Sequence, residues 1–102
     1  MKDLHKEFSL FKDEFPEISR LEAALGQEIH ERGGPLAENI RWLIKIVISA
    51  AAGHERALET HLAKAQEAGV SEKEIVHALL LLVPSCGFPA FMKAYSTLRK
   101  ER

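Results

Sequence analysis

The sequence has few of the residues from which disulfide frameworks, nucleic-acid interfaces and membrane spans are built. Cys86 is the single cysteine, so no disulfide forms within the chain, and we expect a reducing, cytoplasmic setting. Lys and Arg number 14 against 15 Asp and Glu, and this net charge of −1 argues against nucleic acid or a membrane surface as a partner. The longest apolar runs, 46–52 (interrupted by Ser49) and 78–83, are far shorter than the ~20 residues that span a bilayer.

Signals for export and for β-strands are missing as well. The first residues mix both charges and lack an apolar signal core. No run alternates apolar and polar residues, and neither Asn-Gly nor Asp-Gly occurs. Because 46% of the residues are apolar, the chain can still build a core. We therefore expect one all-α domain over residues 1–102, with N-terminal helices in 1–34 and a helical core in 36–100.

Glycine and proline divide the chain into segments with the apolar spacing of helices. About six helices are predicted, near 4–15, 16–32, 37–52, 54–68, 71–83 and 89–100. Ser71 and Glu74 match the capping-box pattern S-x-x-E, which places the start of the fifth helix. Residues 84–87 are expected to interrupt the chain before the last helix.

The third and fifth helices are apolar around most of their circumference. Within 37–52 only Arg41, Lys45 and Ser49, spaced by four, leave a polar stripe, and 78–83 are apolar without interruption. One small domain cannot bury all of this surface. We therefore expect the helix pair 37–52 and 54–68 near the centre of the fold, and assembly with further copies of the same chain.

His54 and His61 lie two turns apart on the apolar side of the fourth helix. A buried imidazole has to be hydrogen-bonded, and it can act as an acid or a base near neutral pH. The plainer interpretation of each is a hydrogen-bonded core or interface histidine. Because the two rings start roughly 10 Å apart along the helix axis, they are poorly spaced for one metal ion. No metal site is predicted.

Cys86 precedes the last helix, and a helix N-terminus favours the reactive thiolate. No second cysteine is present to resolve an oxidised form. The plainer interpretation is a small buried residue at a tight turn. The sequence has no glycine-rich phosphate loop and no G-x-S-x-G motif, and no cofactor is predicted.

Residues 36–95 resemble the carboxymuconolactone decarboxylase family, which includes the alkylhydroperoxidase D-like proteins. The residues that carry the resemblance are Leu43-Ile44, Gly53, His61, the segment EAGVSEKEI at 67–75, the apolar run after it, and Gly87-Phe88-Pro89-Ala90. The resemblance implies an all-α bundle that assembles as a homotrimer or homohexamer. It also implies one of two activities, thiol-dependent peroxide reduction or decarboxylation of a lactone.

The peroxidase branch of this family uses a glutamate, a C-x-x-C pair twelve residues later, and a histidine four residues after the second cysteine. Without gaps, these four positions are held by Trp42, His54, Ala57 and His61, so only the histidine matches. Peroxide reduction requires a nucleophilic thiolate and a partner that resolves the sulfenic acid. The resemblance therefore favours the decarboxylase branch, which also lacks the cysteines and keeps the histidine.

Three functions follow from these observations. The first is a small lyase for a carboxylate or lactone, in which His61 protonates the carbanion or enolate left after loss of carbon dioxide. His54 would bind the substrate carboxylate, with Arg41 and Lys45 if their stripe lines the pocket. The second is a non-catalytic oligomeric relative, and the third is a thiol peroxidase acting through Cys86. We expect His61 to be buried beside a pocket formed with the fifth helix or a neighbouring subunit, with His54 nearer the mouth.

Overall fold

The computed structural model describes the backbone of residues 4–100 and the side chains of 6–100, and every regular element in this range is a helix. The all-α prediction is confirmed. Seven helices follow in order: α1 (Leu4–Glu14), α2 (Pro16–Arg32), α3 (Glu38–Ala52), α4 (Glu55–Glu67), α5 (Glu72–Leu80), α6 (Leu82–Cys86) and α7 (Phe88–Lys100). None of the helices between residues 4 and 100 has the length and apolarity needed to cross a membrane.

Two compact units divide the chain between Pro35 and Leu36. In the N-terminal unit, α1 packs on α2, and α2 begins with Pro16, whose missing N–H is not needed in a first helical turn. Ser19 is the only buried residue between 6 and 35. The large apolar side chains in that range are all exposed, namely Phe8, Leu10, Phe11, Phe15, Ile18, Leu21, Leu25 and Ile29. Residues 6–35 therefore form no apolar core among themselves.

The C-terminal unit contains α3 to α7 and holds the core. Helix α3 packs against α4, α5, α6 and α7, so it takes the central position that its apolar sequence predicts. The buried apolar side chains come from every helix of the unit and the loop before α5: Ile46, Leu58, Leu62, Ala65, Val70, Ile75, Leu79, Leu82, Phe91, Ala94 and Leu98.

Helix α3 is nevertheless not buried on all sides. Ile44 and Ile48 are exposed, whereas Ser49 is only 4% exposed. The expected polar stripe therefore does not face solvent along its length, because Ser49 turns inward and two isoleucines turn outward. Ile44 and Ile48 line a groove together with Ala78 of α5 and Leu81, which directly follows α5. We call this groove the α3–α5 groove.

The predicted fifth helix ends earlier than its apolar sequence indicates. Helix α5 stops at Leu80, and α6 begins at Leu82. Pro84 explains the break, since its nitrogen cannot donate to the carbonyl of Leu80 and its ring would clash there. In α6, Pro84 falls within the first turn, where no intrahelical donor is required.

The start of α5 is fixed as predicted. Ser71 Oγ accepts a hydrogen bond from the backbone N–H of Glu74 at 3.1 Å, and a Glu74 carboxylate oxygen accepts one from the N–H of Ser71 at 2.9 Å. Glu72, in the first turn of α5, pairs with Arg99 near the end of α7. This pairing raises the pKa of Arg99 and joins the two helices at the surface.

Candidate functional site

His61 lies half-buried on α4, against two residues of α3. The Oγ atom of Ser49 is 2.8 Å from His61 Nδ1, a hydrogen-bond distance. The second contact is with the ring of Trp42, whose centroid lies 5.9 Å from that of the imidazole. These contacts hold the ring at the junction of α3 and α4.

The turn between α3 and α4 brings these residues together. Gly53 ends α3 with φ of +76°, a left-handed conformation in which any residue with a Cβ is strained. The next backbone N–H, that of His54, donates to the carbonyl of Ser49 at 2.9 Å. The first turns of α4 therefore begin beside Ser49, and His61 follows within reach of its hydroxyl.

His54 is exposed at the start of α4, nearer the surface than His61. It lines a small depression together with Ser49 of α3 and Lys93 and Thr97 of α7. Ser49 therefore contacts His61 through its hydroxyl and also lines the depression beside His54. The two histidines named from the sequence are linked through this serine.

Arg41 and Lys45 are engaged at other points of α3. The Arg41 guanidinium donates to the carbonyl of Leu36 at 2.6 Å. The Lys45 ammonium lies 5.0 Å from the centre of the Trp42 ring, in a cation–π contact. Within the described part of the chain, neither side chain lines the depression at His54. The cation found there is that of Lys93.

Trp42 occupies the position at which the peroxidase branch has its glutamate. Its ring contacts His61, so the position stays next to the histidine although the carboxylate is gone. A carboxylate lies one turn earlier, where Glu38 accepts a hydrogen bond from Trp42 Nε1 at 3.3 Å. An indole N–H donates a proton but accepts none. The indole therefore cannot itself relay a proton from Glu38 to His61.

Cys86 is the last residue of α6, and its free thiol is exposed. The expectation of a small buried residue is wrong, because α6 ends at the surface and Gly87 turns the chain after it with φ of +94°. No cluster of three or more His, Cys, Asp or Glu suited to a metal ion is found among residues 4–100.

Two residues of the site escaped the sequence analysis. Ser49 was assigned to a polar stripe, although a lone hydroxyl in the apolar half of a central helix signals a buried partner. Lys93, within α7, was not singled out from the sequence. Its place beside His54 depends on the packing of α7 against α4, which no local pattern in the sequence encodes.

Comparison with models of known protein families gives a match. A family model described as the carboxymuconolactone decarboxylase family matches residues 16–100, which is most of the chain and includes the whole of α2 to α7. No curated protein matches the chain.

Proposed function

Because this chain belongs to the carboxymuconolactone decarboxylase family, we propose that it is a small acid/base enzyme of the lactone decarboxylase type, with His61 as the group that moves the proton. The observation that carries the proposal is the hydrogen bond between Ser49 Oγ and His61 Nδ1. It engages Nδ1 of a half-buried imidazole, and we therefore assign the proton transfer to the other ring nitrogen, Nε2.

The chemistry needs one proton at one carbon. When the bond between the carboxylate and the ring carbon breaks, carbon dioxide leaves and the electron pair spreads into the neighbouring unsaturated carbonyl as an enolate. The imidazolium of His61 then gives its Nε2 proton to carbon, which completes the product. A positioned histidine contributes on the order of 10²–10⁴-fold to such a step.

The carboxylate of the substrate would be held at the depression beside the site. His54 and Lys93 line it from two helices, and each supplies a donor or a positive charge. In this proposal Lys93 takes the role first given to Arg41 and Lys45, whose charged groups bind Leu36 and face Trp42. The depression is small, and a neighbouring copy of the chain would close it over the ligand.

Self-assembly is part of the same proposal. Ile44, Ile48 and Leu81 are exposed on the C-terminal unit, and the N-terminal unit leaves its large apolar side chains exposed. Contiguous apolar surface of this kind is covered in a stable protein. We assign the cover to further copies of this chain, as a homotrimer or homohexamer.

The test is decarboxylation of carboxymuconolactone by the purified full-length chain, followed as carbon dioxide release and as loss of the lactone. We expect His61→Gln to lower kcat by about 100-fold or more, because the amide cannot transfer a proton. His30→Gln, in α2, is the matched control and should retain the native rate. Thermal unfolding of both variants by circular dichroism verifies that folding is intact.

A native rate in His61→Gln would contradict the role of His61. Absence of turnover in the native chain would instead favour the alternative, a non-catalytic oligomeric relative. The exposed apolar surfaces are the observation that supports that second candidate, since they require assembly but no chemistry.

A further inference from the structure

We propose that Trp42 is a positioning residue for His61, and that its indole ring, which is held by Glu38 and Lys45, sets the plane of the imidazole. The consequence for catalysis rests on the function proposed for His61. The orientation of the ring does not depend on that function, and it is measurable in the protein without substrate.

The torsional freedom of an imidazole is the first support. A histidine ring has only broad preferences about the bond that joins it to its β-carbon, so the side chain does not fix its own plane. Ser49 Oγ, 2.8 Å from His61 Nδ1, locates one ring nitrogen, whichever of the two atoms donates. The Trp42 ring adds a contact with the imidazole as a whole, at 5.9 Å between centroids and 44° between planes. Together the two contacts restrict both the position and the plane of the imidazole.

The contacts of Trp42 with its own helix are the second support, because a side chain positions another only when it is itself held. Trp42 Nε1 donates to a Glu38 carboxylate oxygen at 3.3 Å, one turn earlier in α3. The Lys45 ammonium lies over the indole, 5.0 Å from the ring centre, in a cation–π contact. Trp42 also packs against the buried core of the C-terminal unit. The indole is therefore held at its N–H, at a ring face and by packing.

The charges around the indole favour orientation as its role. Glu38 and Lys45 contribute one charge of each sign, and the indole itself carries none. A glutamate at position 42, as in the peroxidase branch, would instead place a carboxylate next to the imidazole. Trp42 therefore supplies a ring contact where that branch has a charge.

The consequence for the proposed reaction is on the chemical step. A proton donor works only while it is aligned with the accepting atom, and a misplacement of about 1 Å can cost on the order of 10²-fold in rate. Among residues 6–100, those that line the depression beside His54 do not include Trp42. Loss of the indole should therefore lower kcat and leave KM nearly unchanged.

The experiment measures nuclear Overhauser effects by NMR in the full-length chain without substrate, and His61→Gln identifies the His61 signals by their loss. In the native chain, we expect cross-peaks from the His61 ring protons to the indole of Trp42 and to the β-protons of Ser49. In Trp42→Leu, which keeps an apolar side chain without a ring, the cross-peak to Ser49 should weaken. Trp42→Phe, which restores a ring, should retain it, and Phe88→Leu, which removes an exposed ring on α7, should leave the native pattern.

Turnover of the lactone supplies the second measurement. We expect Trp42→Leu to lower kcat by about tenfold with KM within about twofold of the native value, because the donor is misaligned while the carboxylate is still bound. Trp42→Phe should recover most of the lost kcat, and Phe88→Leu should retain the native rate.

Absence of a native cross-peak between His61 and Trp42 would overturn the proposal, and so would an undiminished cross-peak between His61 and Ser49 in Trp42→Leu. The native spectrum tests the contact even where Trp42→Leu fails to fold. A chain in which Trp42 orients His61 but which does not decarboxylate the lactone removes only the proposed reaction. Decarboxylation by Trp42→Leu at the native rate removes only the role of Trp42.

Discussion

A single hydroxyl on α3 holds an imidazole on α4. Where that branch has two sulfurs, the chain has His54 and Ala57, so the residues that react with peroxide are gone. His61 is still anchored, by Ser49 on one side and Trp42 on the other. A positioned imidazole without a C-x-x-C pair suits proton transfer rather than thiol–disulfide chemistry.

The sequence was sufficient to single out His54 and His61, from their place on the apolar side of the predicted fourth helix, but not their partners. Arg41, Lys45 and Ser49 are spaced by four and look like one stripe. At 3.6 residues per turn, however, such a row drifts around the helix by about 80° over eight residues. That drift carries Ser49 into the buried side while Arg41 stays near the surface. Which side is buried depends on α4 and α7, and hence on tertiary packing.

Cys86 gives a prediction at the same scale. An exposed lone thiol forms at most a sulfenic acid with peroxide, and turnover then depends on an outside thiol. We expect the chain with a dithiol reductant to consume peroxide no faster than the reductant alone, and we expect Cys86→Ser to leave that rate unchanged. A substantial peroxidase rate that disappears in Cys86→Ser would show that the thiol is the active group.

At the scale of helices, local signals predicted more than periodicity did. The capping box at Ser71 and Glu74 and the proline start of α2 lie where the sequence places them. The apolar run 78–83 predicted one continuous helix, and this prediction is wrong. Pro84 breaks the helix four residues earlier, at Leu80, because its nitrogen cannot donate a hydrogen bond to that carbonyl. Helix α6 was not predicted, because five residues are too few to show an apolar period.

The capping box gives a prediction with two separable parts. Ser71→Ala removes the acceptor for the Glu74 N–H, and we expect a loss of about 1 kcal/mol in the free energy of unfolding at pH 7. The hydrogen bonds from the backbone N–H and side chain of Ser71 hold the pKa of Glu74 below its ordinary value of 4.5. A lowered folded pKa means that this stabilisation is present above pH 4.5 and is lost as the pH falls through the folded value.

Urea unfolding from pH 7 down to pH 3 checks both parts. Glu74→Gln keeps an oxygen acceptor but no longer titrates, so its unfolding free energy should fall less steeply in acid than that of the native chain. Ser71→Ala keeps the backbone N–H and should retain part of the native acid dependence. Equal acid dependence in the native chain and Glu74→Gln would exclude Glu74 as a contributor.

For the whole molecule, the missing strand signals predicted the fold class. The helical core was predicted at 36–100, and the two compact units divide between Pro35 and Leu36. The core lies in the C-terminal unit, and the N-terminal unit contributes amphipathic helices with exposed apolar faces. Two such helices cannot supply a core by themselves, because a segment this short buries too little surface.

The exposed apolar surfaces lead to the last prediction, which concerns assembly. Ile48 and Leu81 are each 60% exposed in the α3–α5 groove, and leaving such a groove open to water is unfavourable. We expect light scattering at micromolar concentration to give a native mass several times the 11.4 kDa of one chain.

Ile48→Glu places a charge in the groove and should shift the mass toward smaller species, because the contact would have to desolvate the carboxylate. Gln66→Glu adds the same charge on the exposed end of α4 and should leave the mass unchanged. A native mass of one chain would contradict assembly, and an Ile48→Glu assembly of native size would place the contact outside this groove.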